Sequence, residues 1–217
     1  MRKVMLLTLF IAWMMLSSCN PANLSFDKMP YLTTSKVLFQ DDFSDEQSGW
    51  LIGSSVYDLK AYSPEGFMIL VNAPHTKSWS LPGMRFSDIS LSVTARKLAG
   101  PENNSFGVLC RFQDSHNYYS FLVGSDGYYG VVKVLNGTET LLGSPVMDYS
   151  VDILPFDAEN NITAECSGDT LSLTVNDTLL ISVQDSDLSY GDVGLVVESR
   201  DEGDLAMLFN NFLVETR

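Results

Sequence analysis

The residues with chemistry to offer are few and widely spread. The densest acidic group is Glu198-Ser199-Arg200-Asp201-Glu202, followed by Gly203, which reads as an exposed turn after a strand. The histidines, His75 and His116, stand far apart. Neither belongs to a His-Glu-x-x-His metal motif, and the sequence has no Gly-x-Ser-x-Gly nucleophile turn. No glycine-rich loop is spaced to cradle a phosphate. Asp41-Asp42 with Asp45-Glu46 could supply oxygens to a structural Ca2+, which takes about six to eight. Their spacing is not that of an EF-hand, and they read as a solvated edge. Neither a catalytic set nor a metal or other cofactor is expected.

Binding is better supplied. Alternation puts Arg111 opposite Cys110, Tyr118 opposite Tyr119 and Phe121, and Tyr129 with Lys133 opposite Tyr128, Val132 and Val134. If strands 105–113, 117–123 and 128–135 are neighbours, Arg111, Tyr118, Tyr129 and Lys133 fall on one exposed face. Aromatic plates beside a few hydrogen-bonding groups suit a sugar. The same side chains could equally cover a sheet as cross-strand pairs. Trp79, read as lying in a loop, is a further candidate for ligand contact or for packing.

The three cysteines divide into one and two. Arg2 and Lys3 precede an apolar run from Val4 to Leu16, interrupted only by Thr8, and then Ser17, Ser18 and Cys19. A basic start, a short apolar stretch and small residues before a cut describe a secretion signal. The run is shorter than the ~20 residues needed to span a bilayer. Leu16-Ser17-Ser18-Cys19 resembles a bacterial lipobox, which implies an acylated Cys19 at the start of the mature chain. Residues 1–18 are then the signal peptide, and 19–35, with two prolines and no sustained periodicity, a tether. Extracytoplasmic, membrane-anchored placement is expected. Cys110 and Cys166 remain, an even pair in an oxidising setting. Both share faces with apolar residues, which suits either a buried disulfide or two inert core thiols.

Composition narrows the partners. The chain of 217 residues carries 13 Lys+Arg against 27 Asp+Glu, a net charge of −14. Losing Arg2 and Lys3 with the signal leaves 11 against 27, or −16. Such a surface argues against nucleic acid and anionic lipid, both of which need basic patches.

The elements that must position these residues are strands. Ile89, Leu91, Val93 and Ala95 alternate with Ser90, Ser92, Thr94 and Arg96, and Leu171, Leu173 and Val175 with Ser172 and Thr174. Ile162, Ala164 and Cys166 likewise oppose Thr163 and Glu165. This period of two recurs along residues 36–217 with turn residues between, such as Ser125-Asp126-Gly127 and Asn136-Gly137. About a dozen short strands imply one all-β domain, an antiparallel two-sheet sandwich or jelly roll.

Several stretches, in order, resemble the concanavalin A-like lectin/glucanase jelly roll, near its laminin G-like and 3-keto-disaccharide hydrolase-type branch. They are Phe39-Gln40-Asp41-Asp42-Phe43 with Ser48-Gly49-Trp50, then Phe106 to Asp114, Asn117 to Phe121 and Ser125 to Tyr129. Asn161 to Asn176 follows, then Gly191 to Leu195 and Phe209 to Phe212. Asp177 replaces the glycine, and Asn210 the aspartate, commoner in such domains. Retaining glucanases of this fold carry Glu-x-Asp-x-x-Glu, which the Glu198 cluster does not match. By itself the fold says little about activity, and the missing catalytic motifs together with the candidate sheet-face residues lead to the expectation of a non-catalytic module recognising carbohydrate or another surface ligand. A glycoside-directed hydrolase or an envelope protein-interaction module is the alternative.

Overall fold

Strands that alternate apolar and hydroxyl residues can bury only one face, and two sheets facing each other satisfy them all. In the computed structural model, residues 35–217 are described. The expected signal, Cys19 and the tether apart from Ser35 lie outside them. Ser35–Arg217 forms one compact unit. It contains sixteen strands and, among the described residues, no helix.

The larger sheet has nine strands. Its order is β14 (Thr178–Gln184), β13 (Thr170–Val175), β12 (Asn160–Ser167), β6 (Ile89–Ala99), β16 (Leu205–Thr216), β4 (Gly66–Val71), β3 (Asp58–Ser63) and β2 (Gly53–Ser54). β1 (Val37–Asp41) pairs with β16. The smaller sheet has seven strands: β10 (Thr138–Leu142), β9 (Tyr128–Leu135), β8 (Asn117–Val123), β7 (Asn104–Asp114), β15 (Asp192–Ser199) and β5 (Lys77–Ser80), with β11 (Asp148–Tyr149) on β9. All pairings are antiparallel. The architecture is the jelly-roll β-sandwich that the alternation implied. Trp79 lies in edge strand β5, not in a loop.

The main core fills the gap between the sheets. Ile89, Leu91, Val93 and Ala95 from β6 meet Phe106, Val108, Phe121 and Val131 from the other sheet, all buried. Each of these side chains larger than alanine contributes roughly 1.5–3 kcal/mol by leaving water. Cys110 of β7 and Cys166 of β12 form a disulfide across the two layers, separated by 56 residues in sequence. Closing a loop of that length stabilises by about 4 kcal/mol in the chain-entropy account.

β16 shapes the larger sheet. One edge pairs with β6 throughout, while the other is shared: Leu205 to Phe209 pair with β4, and Phe212 to Glu215 with β1. At the junction the register shifts, and Asn211 takes φ +53°. Asparagine tolerates that left-handed conformation better than most residues.

Candidate functional site

The four residues expected on one exposed face are not brought together there. Arg111 is 2 % exposed. Its backbone has φ +52°, and the β7–β8 register shifts between Cys110 and Asp114. Leu109 and Phe112 both reach the outer side of the sheet, so the bulge at this point breaks the alternation. The guanidinium turns to the ends of the β6 and β12 strands instead. It donates to the Leu188 carbonyl at 2.8 Å, the Gly168 carbonyl at 3.0 Å and Asp88 at 3.3 Å. That work is structural: it satisfies carbonyls where the two layers close.

Tyr129 and Lys133 miss the face for a different reason. β8 pairs Tyr118 with Val134 and Val123 with Tyr129. This register puts Tyr129 and Lys133 on the side of Tyr119 and Phe121, towards the opposite sheet. The Tyr129 hydroxyl donates to the Leu180 carbonyl at 3.1 Å. Lys133 pairs with Asp185 and, at 2.6 Å, with Asp187, and these carboxylates hold its pKa above the ordinary lysine value. Tyr119 donates to the same Asp185, and burial with that carboxylate pushes its hydroxyl up to about 12.

Tyr118 and Trp79 do meet, on the outer face of the seven-stranded sheet, where they pack with Phe112. Their ring centroids lie 5.4–6.3 Å apart, with Phe112 and Tyr118 stacked. The rings cover Leu109, Leu122, Val134 and Val196 in a second apolar cluster. Tyr118 is itself 3 % exposed, against the expectation of an exposed plate. Its hydroxyl accepts from Lys77 Nζ at 3.4 Å, and burial raises its pKa. Lys77 also pairs with Glu139 and, at 3.5 Å, with Glu198. Burial opposes its charge, but the two carboxylates win and raise its pKa. This face is packed, and its charges are paired.

The acidic groups also have structural duties. Glu198 and Ser199 end β15 rather than forming a turn, while Asp201 accepts from Asn103 at 3.1 Å. Asp41 accepts from the Phe43 N–H at 2.7 Å and the Trp50 indole at 2.8 Å. Asp42 and Asp45 accept from Ser44 and Gln47 in short turns. Among the described residues, no group of three or more His, Cys, Asp or Glu converges as a metal site would.

The concave feature lies on the other side of the molecule. The outer face of the nine-stranded sheet carries a groove of about 800 Å³. Its floor is Ser92 and Thr94 of β6, Asn161 and Thr163 of β12, and Leu213 of β16, set side by side because Thr94 pairs with Asn161 and Ser92 with Thr163. Gln40 and the turn from Asp42 to Ser48 wall one side, Asp177 stands at the β13–β14 turn, and Asn211 projects where β16 is bulged. Thr94 donates to Asn161 at 2.9 Å. The side chains of Gln40, Ser92, Thr163, Asp177 and Asn211 have no hydrogen-bond partner among the described residues. Donors and acceptors without partners on a sheet-wide concavity can bind a polyhydroxylated ligand. The hydroxyls at Ser92, Thr94 and Thr163 were visible in the alternation as a solvent face. That they line a groove depends on β1, β6, β12 and β16 meeting, which local pattern does not report.

No protein-family model matches the chain, and no curated protein matches it in sequence. Solved structures do match in fold. The carbohydrate binding module CBM66 of Bacillus subtilis superposes with a TM-score of 0.62 at 22 % identity, over 77 % of this chain and 96 % of that one. The GH43 protein BlXynB of Bacillus licheniformis gives 0.62 at 13 % identity, over 82 % of this chain but 39 % of its own length. The catalytic domain of an endo-1,3-beta-glucanase (laminarinase) of Thermotoga petrophila gives 0.58 at 8 % identity, over 84 % and 98 %. At these identities the likeness establishes the jelly-roll fold alone, a fold that hosts both binding and catalysis.

Proposed function

We propose that the protein is an extracytoplasmic carbohydrate-binding module, held at a membrane through lipid on Cys19, and that its glycan lies in the groove on the nine-stranded sheet. The observation that carries this reading is the set of partnerless hydroxyl, amide and carboxylate side chains facing one 800 Å³ concavity. A buried polar group without a partner costs about 1–3 kcal/mol. These groups are half-exposed or exposed, so water serves them until a ligand with many hydroxyls replaces it. The match in fold to a carbohydrate binding module supports the same reading.

The test is retention of the full-length, detergent-solubilised protein on a polysaccharide panel, in a detergent without a sugar headgroup. The paired variant Asn161→Ala/Thr163→Val should lose at least tenfold in affinity with its melting temperature unchanged. Loss in Trp79→Ala with the groove variant intact would move the site to the other sheet. Shortening of the polysaccharide would favour the hydrolase alternative. The anchor has its own test: Cys19→Ala should leave the membrane fraction.

A further inference from the structure

The groove is chemically one-sided. Its lining contains the exposed carboxylates of Asp42, Asp45 and Asp177 and, among the described residues, no lysine, arginine or histidine. Asp42 is held ionised, its pKa lowered by hydrogen bonds from the Ser44 hydroxyl and N–H. Asp177 sits at φ +67° in the turn between β13 and β14, on the opposite side of the groove from the Asp42–Asp45 turn. A ligand in the groove therefore lies between carboxylates on two sides.

Resting on the groove as the glycan site, we propose that it selects uncharged oligosaccharides and rejects acidic ones, with Asp42, Asp45 and Asp177 as the specificity-determining residues. The neutral hydroxyls and amides of the floor supply attraction that any sugar could use. The rim supplies the repulsion, and discrimination between similar ligands commonly needs such an unfavourable element. A uronate or sulfate would bring its charge within a Debye length, about 8 Å at physiological ionic strength, of carboxylates with no counter-cation in the lining. The volume, in the upper part of the ~300–1,000 Å³ range of ligand pockets, suits several sugar rings rather than one.

The experiment is calorimetric titration of the full-length, detergent-solubilised protein with neutral oligosaccharides of increasing length, each paired with its C6-carboxylate analogue. For a neutral oligosaccharide that binds, affinity should rise with chain length, and the carboxylate partner should bind at least tenfold more weakly at low salt. That ratio should shrink in 0.5 M NaCl. Asp42→Asn/Asp45→Asn/Asp177→Asn should reduce it to less than threefold, since asparagine keeps the turn-capping carbonyl oxygen. Asp177→Asn alone, at a side chain without a partner, should reduce it partway and guards against a triple variant that fails to fold. Equal or tighter binding of the acidic partner overturns the selectivity, as does a ratio unchanged in the asparagine variants. Binding of neutral and acidic sugars that survives Asn161→Ala/Thr163→Val overturns the groove reading itself. So does no binding at all.

Discussion

The two outer faces of this sandwich are built from the same alternation and end in opposite states. On the seven-stranded sheet, Trp79, Phe112 and Tyr118 cover Leu109, Leu122, Val134 and Val196, and Lys77 is neutralised by Glu139 and Glu198. On the nine-stranded sheet, Ser92, Thr163, Asn211 and Gln40 stand over a groove with no partner among the described residues. Aromatic residues draw attention in a sequence, yet here they stabilise. Small hydroxyl and amide residues look like mere solvent coating, yet they hold the uncommitted hydrogen-bonding capacity. Satisfaction of polar groups, more than residue type, separates a packed face from a receptive one.

Substitutions can break that contrast, beginning where the cost is greatest. Arg111→Met, beneath both faces, should destabilise by about 3–5 kcal/mol, because the Leu188 and Gly168 carbonyls lose their buried donor. Denaturant unfolding measures it, and a change below 1 kcal/mol would return Arg111 to the surface. Trp79→Ala should cost about 2–3 kcal/mol, less than a fully buried tryptophan, without weakening glycan retention. Lys77→Met should cost about 1 kcal/mol, because half-buried Glu198 loses one of its two cations and keeps Arg200 at 3.5 Å, and adding Glu198→Gln should recover part of that loss. Ser120 refines the picture, since its buried hydroxyl has no partner among the described residues. Ser120→Ala should be neutral or stabilising by up to about 1 kcal/mol. In the groove, Thr163→Val should change stability by less than about 0.5 kcal/mol while weakening binding.

Acid offers a further handle. Asp58 accepts from Lys60, Ser55 and Ser78, which outweigh burial and hold its pKa at about 2, against an ordinary 3.8. Asp185 is lowered in the same sense by Lys133 and Tyr119. A depressed carboxylate stabilises the fold above its unfolded pKa, and that contribution is lost as pH falls through the folded one. Melting temperature should therefore drop between about pH 4 and pH 2, and less steeply in Asp58→Asn.

Much of the fold was legible because long strands such as β6 and β12 alternate cleanly, and because apolar companions marked Cys110 and Cys166 as inward. The short strands at and beside the sheet edges, β2, β3, β5, β10 and β11, were not. β3 is half-buried at every position, and β2 and β11 are two residues long, so no period shows. The bulge at Arg111 inserts one residue against β15 and defeats parity from there on, and the β8–β9 register sends Tyr129 and Lys133 inward. The groove escaped because its walls come from residues 40–48, 92–94, 161–163 and 211–213, brought together only by non-local pairing.

The divided edge of β16 has a mechanical consequence. β1 touches the sheet through β16 alone, and its Val37 end is where the chain arrives from Ser35, while its Asp41 end leads into the groove's wall. A pull between an anchor before residue 35 and a glycan held in the groove would run along the axis of β1. Its ladder with β16 would then be sheared, with all its hydrogen bonds loaded together, rather than peeled open one at a time. A strand that looks like a peripheral addition to the sheet would thus act as the cable between such an anchor and a ligand in the groove.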